Sequence, residues 1–183
     1  MGWFASAWDI PSAEFLADRS LMVKIPSAKI TDDELLRYCR LHFPYLIMST
    51  GMSSEEEVRH AIDIAEPDAI FHTHSAYPAP VEELRLEYIS WLKRSIKGIE
   101  YGYSGHEYGI STTLAAAAMG VDWIERHITL DHDMWGSDQK SSVDLVGMVK
   151  LVRSVRAIEK AMAGFGPRVV LPSEEVKRRD LRN

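Results

Sequence analysis

The stretch Tyr103-Ser104-Gly105-His106-Glu107, followed further along by Glu125-Arg126-His127, decides the fold. Each histidine ends or follows a short apolar run that is typical of a buried β-strand, at 99–104 and at 121–128. The carboxyl ends of parallel strands meet at one mouth of a barrel, where such folds keep their chemistry. Asp138 lies in the loop after the second run. We therefore predict two imidazoles and a carboxylate at one mouth, as in a metal-dependent enzyme.

The composition indicates one soluble α/β domain. The chain has 183 residues, of which 46% are hydrophobic and 26% are charged, enough for a sizeable core. A net charge of −6 argues against a general nucleic-acid binder, because binding phosphate needs a basic surface. No apolar run approaches the roughly 20 residues of a membrane helix. Cys39 is the single cysteine, which excludes an intrachain disulfide and suggests a cytoplasmic protein.

Short apolar strands alternate strictly with helical patterns along the chain. The predicted strands are at 3–6, 22–25, 45–49, 69–72, 99–104 and 121–128. The predicted helices are at 11–18, 31–42, 53–65, 81–95, 110–119 and 145–163. The helix at 31–42 is expected to begin with a capping box that starts at Thr31. This alternation predicts a parallel sheet covered by outer helices.

The number of units favours an incomplete barrel. A closed barrel of this type needs eight βα units, and the chain supplies six. An open doubly wound sheet accepts six strands, but no glycine-rich phosphate turn follows the first strand. We therefore predict a partial TIM (β/α)8 barrel over residues 1–170 that lacks its first two units. A charged tail is expected at 171–183.

Six short strings stand at strand ends or in the loops that follow. They are Lys24-Ile25-Pro26-Ser27, Ser49-Thr50-Gly51-Met52, Tyr77-Pro78-Ala79-Pro80, Gly102-Tyr103-Ser104-Gly105-His106, Glu125-Arg126-His127-Ile128-Thr129-Leu130 and Met134-Trp135-Gly136-Ser137-Asp138. In order and spacing they resemble the N-acetylneuraminate (sialic acid) synthase family. The resemblance implies the last six βα units, the third to the eighth, of a (β/α)8 barrel. It also implies that the family's N-terminal third and its antifreeze-like C-terminal domain are absent.

The resemblance implies a transferase. It would condense phosphoenolpyruvate with an N-acetylmannosamine-like aldehyde, giving a nine-carbon 2-keto sugar acid and inorganic phosphate. A divalent metal is implied as the cofactor, commonly manganese, with magnesium or cobalt as alternatives. The identity of the N-acyl sugar, and whether it is phosphorylated, stays open.

Ten residues receive roles from the resemblance. The implied metal ligands are His106 and His127. The implied catalytic residues are Glu125 and Asp138. The implied substrate-binding residues are Lys24, Ser27, Ser49, His72, Tyr77 and Ser104. The alternative is that both histidines are structural residues of the core, whose rings donate hydrogen bonds to backbone carbonyls.

The catalytic carboxylates have alternatives of their own. Glu125 shares the strand face of His127 and would orient that ring or transfer a proton, with a structural ion pair as the rival interpretation. Asp138 would hold the sugar or a metal-bound water, whereas an aspartate in such a turn is often only a turn former. Trp8, Trp91 and Trp123 are expected to be packing residues.

Four residues depart from the wider family pattern. Lys29, Ser75, Gly105 and Gln139 stand where many members have glutamate, asparagine, aspartate and histidine. Together with the intact strings, they suggest a subgroup of the family.

Two other hypotheses stay open. The first is a non-catalytic remnant, or a subunit that needs a partner to supply the missing strands. The exposed edges of six strands also favour a homo-oligomer. The second is a related synthase that joins phosphoenolpyruvate to an aldose phosphate.

Overall fold

The computed structural model describes residues 2–164 and 166–182. Its six strands are β1 (Ala5–Ser6), β2 (Met22–Ile25), β3 (Tyr45–Ser49), β4 (Ala69–Thr73), β5 (Glu100–Gly105) and β6 (Trp123–Arg126). Its helices are α1 (Ile10–Ala17), α2 (Asp33–His42), α3 (Glu55–Ala65), α4 (Glu87–Ser95), α5 (Ser111–Ala118), α6 (Leu145–Met162) and α7 (Pro172–Leu181). Each strand pairs in parallel with the next along the chain. The result is a curled half-barrel with outer helices, which confirms the predicted partial barrel.

Side-chain caps fix where several helices begin. The carboxylate of Asp9 accepts a hydrogen bond from the Ser12 amide at the start of α1. At α3, Ser54 and Glu57 form a reciprocal capping box. The Asp144 carboxylate accepts from the Gly147 amide at the start of α6. Each cap satisfies an amide that the first helical turn leaves without a partner.

The sheet divides the apolar residues into two layers because successive strand residues face opposite sides. Val23, Leu46, Met48 and Ile70 face the helices and belong to the main core. The concave side holds a smaller cluster of Ile47, Ala69 and Phe71. Most of the core therefore lies between the sheet and the helices.

Aromatic rings close the lower end of the concave side. The Trp123 ring lies 6.3 Å from the Phe71 ring and 6.1 Å from the Tyr45 ring, measured between centroids. Glu100 accepts hydrogen bonds from the Tyr45 hydroxyl and the Trp123 indole. These rings fill the interior below the strand ends, so Trp123 is a packing residue as predicted.

Four predicted boundaries need correction. The cap of α2 is Asp32 rather than Thr31, because the Asp32 carboxylate accepts from the Leu35 amide. The predicted helix at 81–95 is a 3-10 turn, Val81–Glu83, followed by α4; Arg85 between them has a φ of 45°. The predicted strands at 3–6 and 121–128 shorten to β1 and β6.

The carboxyl-terminal region differs from the rest of the fold. Within the predicted charged tail, residues 172–181 form α7, which has no buried residue. Helix α6 buries only Leu151 and leaves Val146, Val149 and Val152 exposed.

No helix within residues 2–164 and 166–182 is long and apolar enough to cross a membrane.

We predict that Gly102→Ala destabilises the fold. A Cβ at Gly102 would lie 2.2 Å from the Phe71 ring, which fills the concave side. Crowding of this kind costs about 1–3 kcal/mol, and urea unfolding followed by circular dichroism would measure it. Gly164→Ala is the matched control, because no atom lies within 4 Å of its added Cβ. Equal unfolding free energies for the two variants would contradict this packing.

Candidate active site

The strand register brings polar side chains to one level of the concave side. Thr73 pairs with Ser104, and Ser104 pairs with Glu125, across β4, β5 and β6. His106 and His127 follow Ser104 and Glu125 by two residues, which places their side chains on the same face. The two imidazole centroids are 5.2 Å apart. The predicted convergence of the strand ends is therefore present.

A cavity of about 680 Å³ opens at these strand ends. Every residue to which the sequence assigned a role lines it, with the exception of His72. The lining residues among them are Lys24, Ser27, Ser49, Tyr77, Ser104, His106, Glu125, His127 and Asp138.

The Glu125 carboxylate joins two predicted substrate-binding residues. Its Oε1 accepts from Lys24 Nζ at 2.5 Å and from Ser104 Oγ at 2.7 Å. The Lys24 side chain is 11% exposed and that of Glu125 is 32% exposed, so the pair is partly shielded from water. This places an ammonium and a hydroxyl side by side in the cavity. The rival interpretation of Glu125 as an ion-pair partner agrees with this contact.

Hydrogen bonding selects one tautomer of His106. Its Nδ1 lies 2.8 Å from the carbonyl oxygen of His74, which can only accept, so Nδ1 carries the proton. Burial lowers the pKa of His106, although the bond to His74 opposes this effect. The ring is therefore neutral at neutral pH, and the lone pair is on Nε2. Such a donated Nδ1–H bond is typical of metal-binding histidines.

Tyr77 covers the two histidines. Its ring centroid is 4.2 Å from that of His106 and 5.7 Å from that of His127, where the rings meet edge to face. Burial, together with the nearby charges of Asp138 and Glu125, raises the pKa of the Tyr77 hydroxyl. The hydroxyl is therefore protonated at neutral pH and can donate a hydrogen bond into the cavity.

The side chains of the cavity that could contribute to a metal site are His106, His127 and Asp138. Asp138 Oδ2 is 3.8 Å from His127 Nδ1, at the exposed rim. Within the described part of the chain, no group of three or more His, Cys, Asp or Glu side chains is arranged to hold a metal. An ion held by the two imidazoles alone would keep most of its coordination positions open for water or substrate.

Two serines extend the cavity towards β2 and β3. Ser27 Oγ accepts from the Gly51 amide at 3.0 Å. A Cβ at Gly51 would lie 2.2 Å from Ser75 Oγ and 2.8 Å from Ser27 Oγ, so a glycine is needed there. The Ser49 hydroxyl is buried and has no hydrogen-bond partner among the described residues. A buried hydroxyl without a partner is costly unless a ligand satisfies it.

His72 does not reach this cavity, which corrects its predicted place in the site. It pairs with Tyr103 in the register, and both side chains face the helices. Its Nε2 donates to the Leu84 carbonyl at 2.7 Å, and its ring lies 5.3 Å from that of Tyr88. Residue 72 precedes an inward-facing residue, Thr73, so the alternation of the strand could have excluded it.

Several residues of the cavity were not predicted from the sequence. Trp8, assigned to packing, lines the cavity and is 54% exposed. Thr73 and Ser75 also line it, and the alternation along β4 could have identified Thr73. The sequence indicates Ser75 only as a departure from the family pattern and gives no sign that it lines the cavity.

The buried ion pair between Glu107 and Arg126 was also not predicted from the sequence. Glu107 and Arg126 lie behind the cavity, with side chains 0% and 1% exposed. Burial alone would raise the pKa of Glu107, but the Thr113 hydrogen bond and the Arg126 charge together hold it below its usual value. Burial lowers the pKa of Arg126, yet a guanidinium stays charged at neutral pH.

The family assignment rests on the sequence. A family described as the NeuB family matches residues 1–166. The chain belongs to this family. It is 33% identical to an N,N'-diacetyllegionaminic acid synthase of Campylobacter jejuni, covering 96% of this chain and 54% of that protein. It is 34% identical to the N-acetylneuraminate-9-phosphate synthase of Homo sapiens, covering 93% of this chain and 48% of that protein.

Solved structures agree with this NeuB-family assignment. The crystal structure of an N-acetylneuraminic acid (sialic acid) synthetase from Leptospira borgpetersenii, in complex with citrate, has a TM-score of 0.87 and 30% identity. The match covers 100% of this chain and 66% of that chain. The present chain spans about half the length of the curated relatives it matches.

We predict that Glu125→Ala lowers the free energy of unfolding by about 1–3 kcal/mol, because it leaves the shielded Lys24 ammonium without its partner. The matched control is Glu159→Ala, which breaks an exposed ion pair with Arg156. Such surface pairs contribute about 0.5 kcal/mol. Urea unfolding of both variants measures the difference. A loss in Glu125→Ala no larger than that in the control would contradict the contact.

Proposed function

We propose that the chain forms the larger part of the active site of a sugar-acid synthase. The enzyme would condense phosphoenolpyruvate with an N-acyl hexosamine aldehyde such as N-acetylmannosamine. The NeuB-family membership and the named relatives support a synthase of this class. The observation that carries the proposal is the contact chain Lys24–Glu125–Ser104 beside the His106–His127 pair.

One half of the cavity suits an anion. Lys24 supplies an ammonium, and the hydroxyls of Ser104, Ser27 and Ser49 line the same cavity. Hydroxyls and an ammonium are suitable donors to a phosphate or carboxylate group. The unpartnered Ser49 hydroxyl adds a donor whose desolvation a bound ligand would offset. We therefore assign phosphoenolpyruvate to this half.

The proposed reaction balances without an oxidant or reductant. The electron pair of the enol double bond forms a bond from C3 of phosphoenolpyruvate to the aldehyde carbon, and the aldehyde oxygen gains a proton. Water then adds at C2, and the bond from C2 to the phosphate oxygen breaks. The products are a nine-carbon 2-keto sugar acid and inorganic phosphate. Tyr77 and Asp138 would hold the sugar at the rim, and Glu125 would orient Lys24 and Ser104.

The other half of the cavity suits a divalent cation, which we propose to be manganese, with magnesium or cobalt as alternatives. When bound, such an ion polarises the aldehyde oxygen and stabilises the charge that develops on it. His106 is prepared for this role because its bond to His74 presents the Nε2 lone pair. Asp138 would hold a water or the sugar beside His127.

We also propose that the working barrel contains strands beyond these six. Strands β1 and β6 are the sheet edges, and each has one neighbour among the described strands. A parallel edge of this kind pairs readily with another strand. The additional strands would come from another segment, from a partner chain or from a second copy. A subunit that is active only with such a partner is therefore the second candidate function. The cytoplasmic location inferred from the sequence stays a prediction.

The test is phosphate release from phosphoenolpyruvate in the presence of manganese and N-acetylmannosamine. It is run with the chain alone and with the N-terminal third of a sialic acid synthase added. We expect activity in at least one condition, and a decrease of at least 100-fold in His106→Ala and in His127→Ala. His60→Ala is the matched control, because His60 is exposed and pairs with Asp33 on the helical side.

The pattern of activity separates the hypotheses. Activity only after complementation would identify a subunit. Activity with an aldose phosphate, but not with N-acetylmannosamine, as the acceptor would favour the related synthase. If the folded chain released no phosphate in either condition, the proposed function would be wrong. Equal losses in His60→Ala and His106→Ala would contradict the assigned site.

A further inference from the structure

The buried pair of Glu107 and Arg126 lies directly behind the two histidines. Glu107 follows His106, and Arg126 lies between Glu125 and His127. Strand alternation directs the Arg126 side chain away from those of Glu125 and His127, although the residue also contributes to the cavity lining. Neither side chain is exposed by more than 1%. A buried ion pair is weak evidence for stability alone, because desolvation offsets the attraction between the charges. Its position next to the site calls for another explanation.

Arg126 connects three segments of the chain. Its Nη1 donates to Glu107 Oε1 at 3.2 Å, to the Gly109 carbonyl at 2.7 Å and to Thr113 Oγ1 at 2.7 Å. Its Nη2 donates to the Glu107 carbonyl at 2.7 Å and to the Ser141 carbonyl at 3.0 Å. The guanidinium therefore joins β6 to the segment after β5, to α5 and to the turn before α6.

The Ser141 contact reaches the loop that carries Asp138. The Ser141 amide donates to the Asp138 carbonyl at 3.1 Å, within the 3-10 turn Gln139–Ser141 that follows Asp138. The Val143 amide then donates to the His127 carbonyl at 2.7 Å. The loop is thus fixed to β6 at two neighbouring points, one of which is the Arg126 side chain.

The Glu107 carboxylate is held on both oxygens. Thr113 Oγ1 donates to Oε1 at 2.6 Å, and Tyr103 Oη donates to Oε2 at 2.9 Å. A Cβ at Gly105 would lie 2.6 Å from Glu107 Oε2 and 3.0 Å from Arg126 Cδ. The pair therefore occupies the space that a side chain at residue 105 would need. A side chain at residue 105 would therefore require Glu107 or Arg126 to move.

We propose that Glu107 and Arg126 are positioning residues that hold His106, His127 and Asp138 in register with one another. The inference rests on the proposed metal-binding half of the site. With side chains no more than 1% exposed, the two residues would act through the neighbouring histidines and the Asp138 loop rather than by contact with substrate or metal. The pair thereby maintains the spacing of the two imidazoles on adjacent strands.

Arg126→Lys tests the proposal because it keeps the charge but removes the planar fork of donors. Manganese binding to the full chain is measured from the electron paramagnetic resonance signal of the free ion. Loss of a group that orients metal ligands weakens binding by about 10–100-fold, and we expect at least tenfold here. Glu107→Gln, which keeps the shape of Glu107, is the second variant and should act in the same direction.

The chain contains a matched control in Arg40→Lys. Arg40 donates to Asp68 Oδ2 at 2.9 Å and to the carbonyls of Glu66, Phe43 and Pro44, at the opposite ends of β3 and β4. Its loss removes a similar network far from the histidines. The Arg40 pair is more exposed than the Glu107–Arg126 pair, so we expect a smaller decrease in melting temperature. We expect manganese affinity within twofold of that of the unaltered chain.

The histidine ring signals in nuclear magnetic resonance spectra of the metal-free chain give an independent readout. Arg126→Lys should shift or broaden the signals of His106 and His127, and Arg40→Lys should leave them unchanged. Wild-type signals for both rings in Arg126→Lys and in Glu107→Gln would overturn the proposal. An unaltered chain that binds no manganese would instead contradict the metal part of the proposed function, and the ring signals would still decide the positioning role.

Discussion

The parallel register of β4, β5 and β6 is the constraint on which the site depends. It aligns Thr73, Ser104 and Glu125 at one level of the concave side. The alternation of the strands then places His106 and His127 one step higher on the same face. A shift of one residue in any of these strands would move its site residue to the helical side. The aromatic rings below and the buried ion pair behind both act to hold this register.

The cavity combines two chemical environments across a short distance. Lys24 of β2, Ser27 after β2, Ser49 of β3 and Ser104 of β5 form a donor-rich half. His106 and His127 form the other half, in which His106 presents the lone pair of its Nε2. The Glu125 carboxylate lies between the halves and contacts Lys24 and Ser104 directly. An anionic substrate and a cation-activated aldehyde could therefore meet in one cavity, as a condensation requires.

Most of the fold could be predicted from the sequence because its strands are short apolar runs next to strong helix patterns. The bounds of β2 and β3 agree with the prediction. Errors arose where local pattern and tertiary geometry conflict. The apolar and charged residues at 81–95 fit a helical period, but the positive φ of Arg85 interrupts the helix. His72 matched a family motif, yet the pleat directs it towards Leu84.

The exposed rim and the buried network were harder to anticipate. The place of Trp8 depends on the curl of the sheet, which no local pattern encodes. Arg126 and Glu107 are charged residues, and a sequence pattern assigns such residues to the surface by default. Only the packing of Gly105, Tyr103 and Thr113 around them reveals the pair. Gly105 fits this packing because the Glu107 carboxylate occupies the space that a Cβ at residue 105 would need.

A crystal structure of the chain grown with manganese and phosphoenolpyruvate tests the central claim most directly. Anomalous scattering at the manganese absorption edge locates the ion without reference to the protein. The proposal predicts one manganese ion bound by His106 Nε2 and by a ring nitrogen of His127. The proposal also predicts that the phosphoenolpyruvate anion binds in contact with Lys24 and Ser104. A manganese ion or a phosphate bound only outside this cavity would contradict the assigned site.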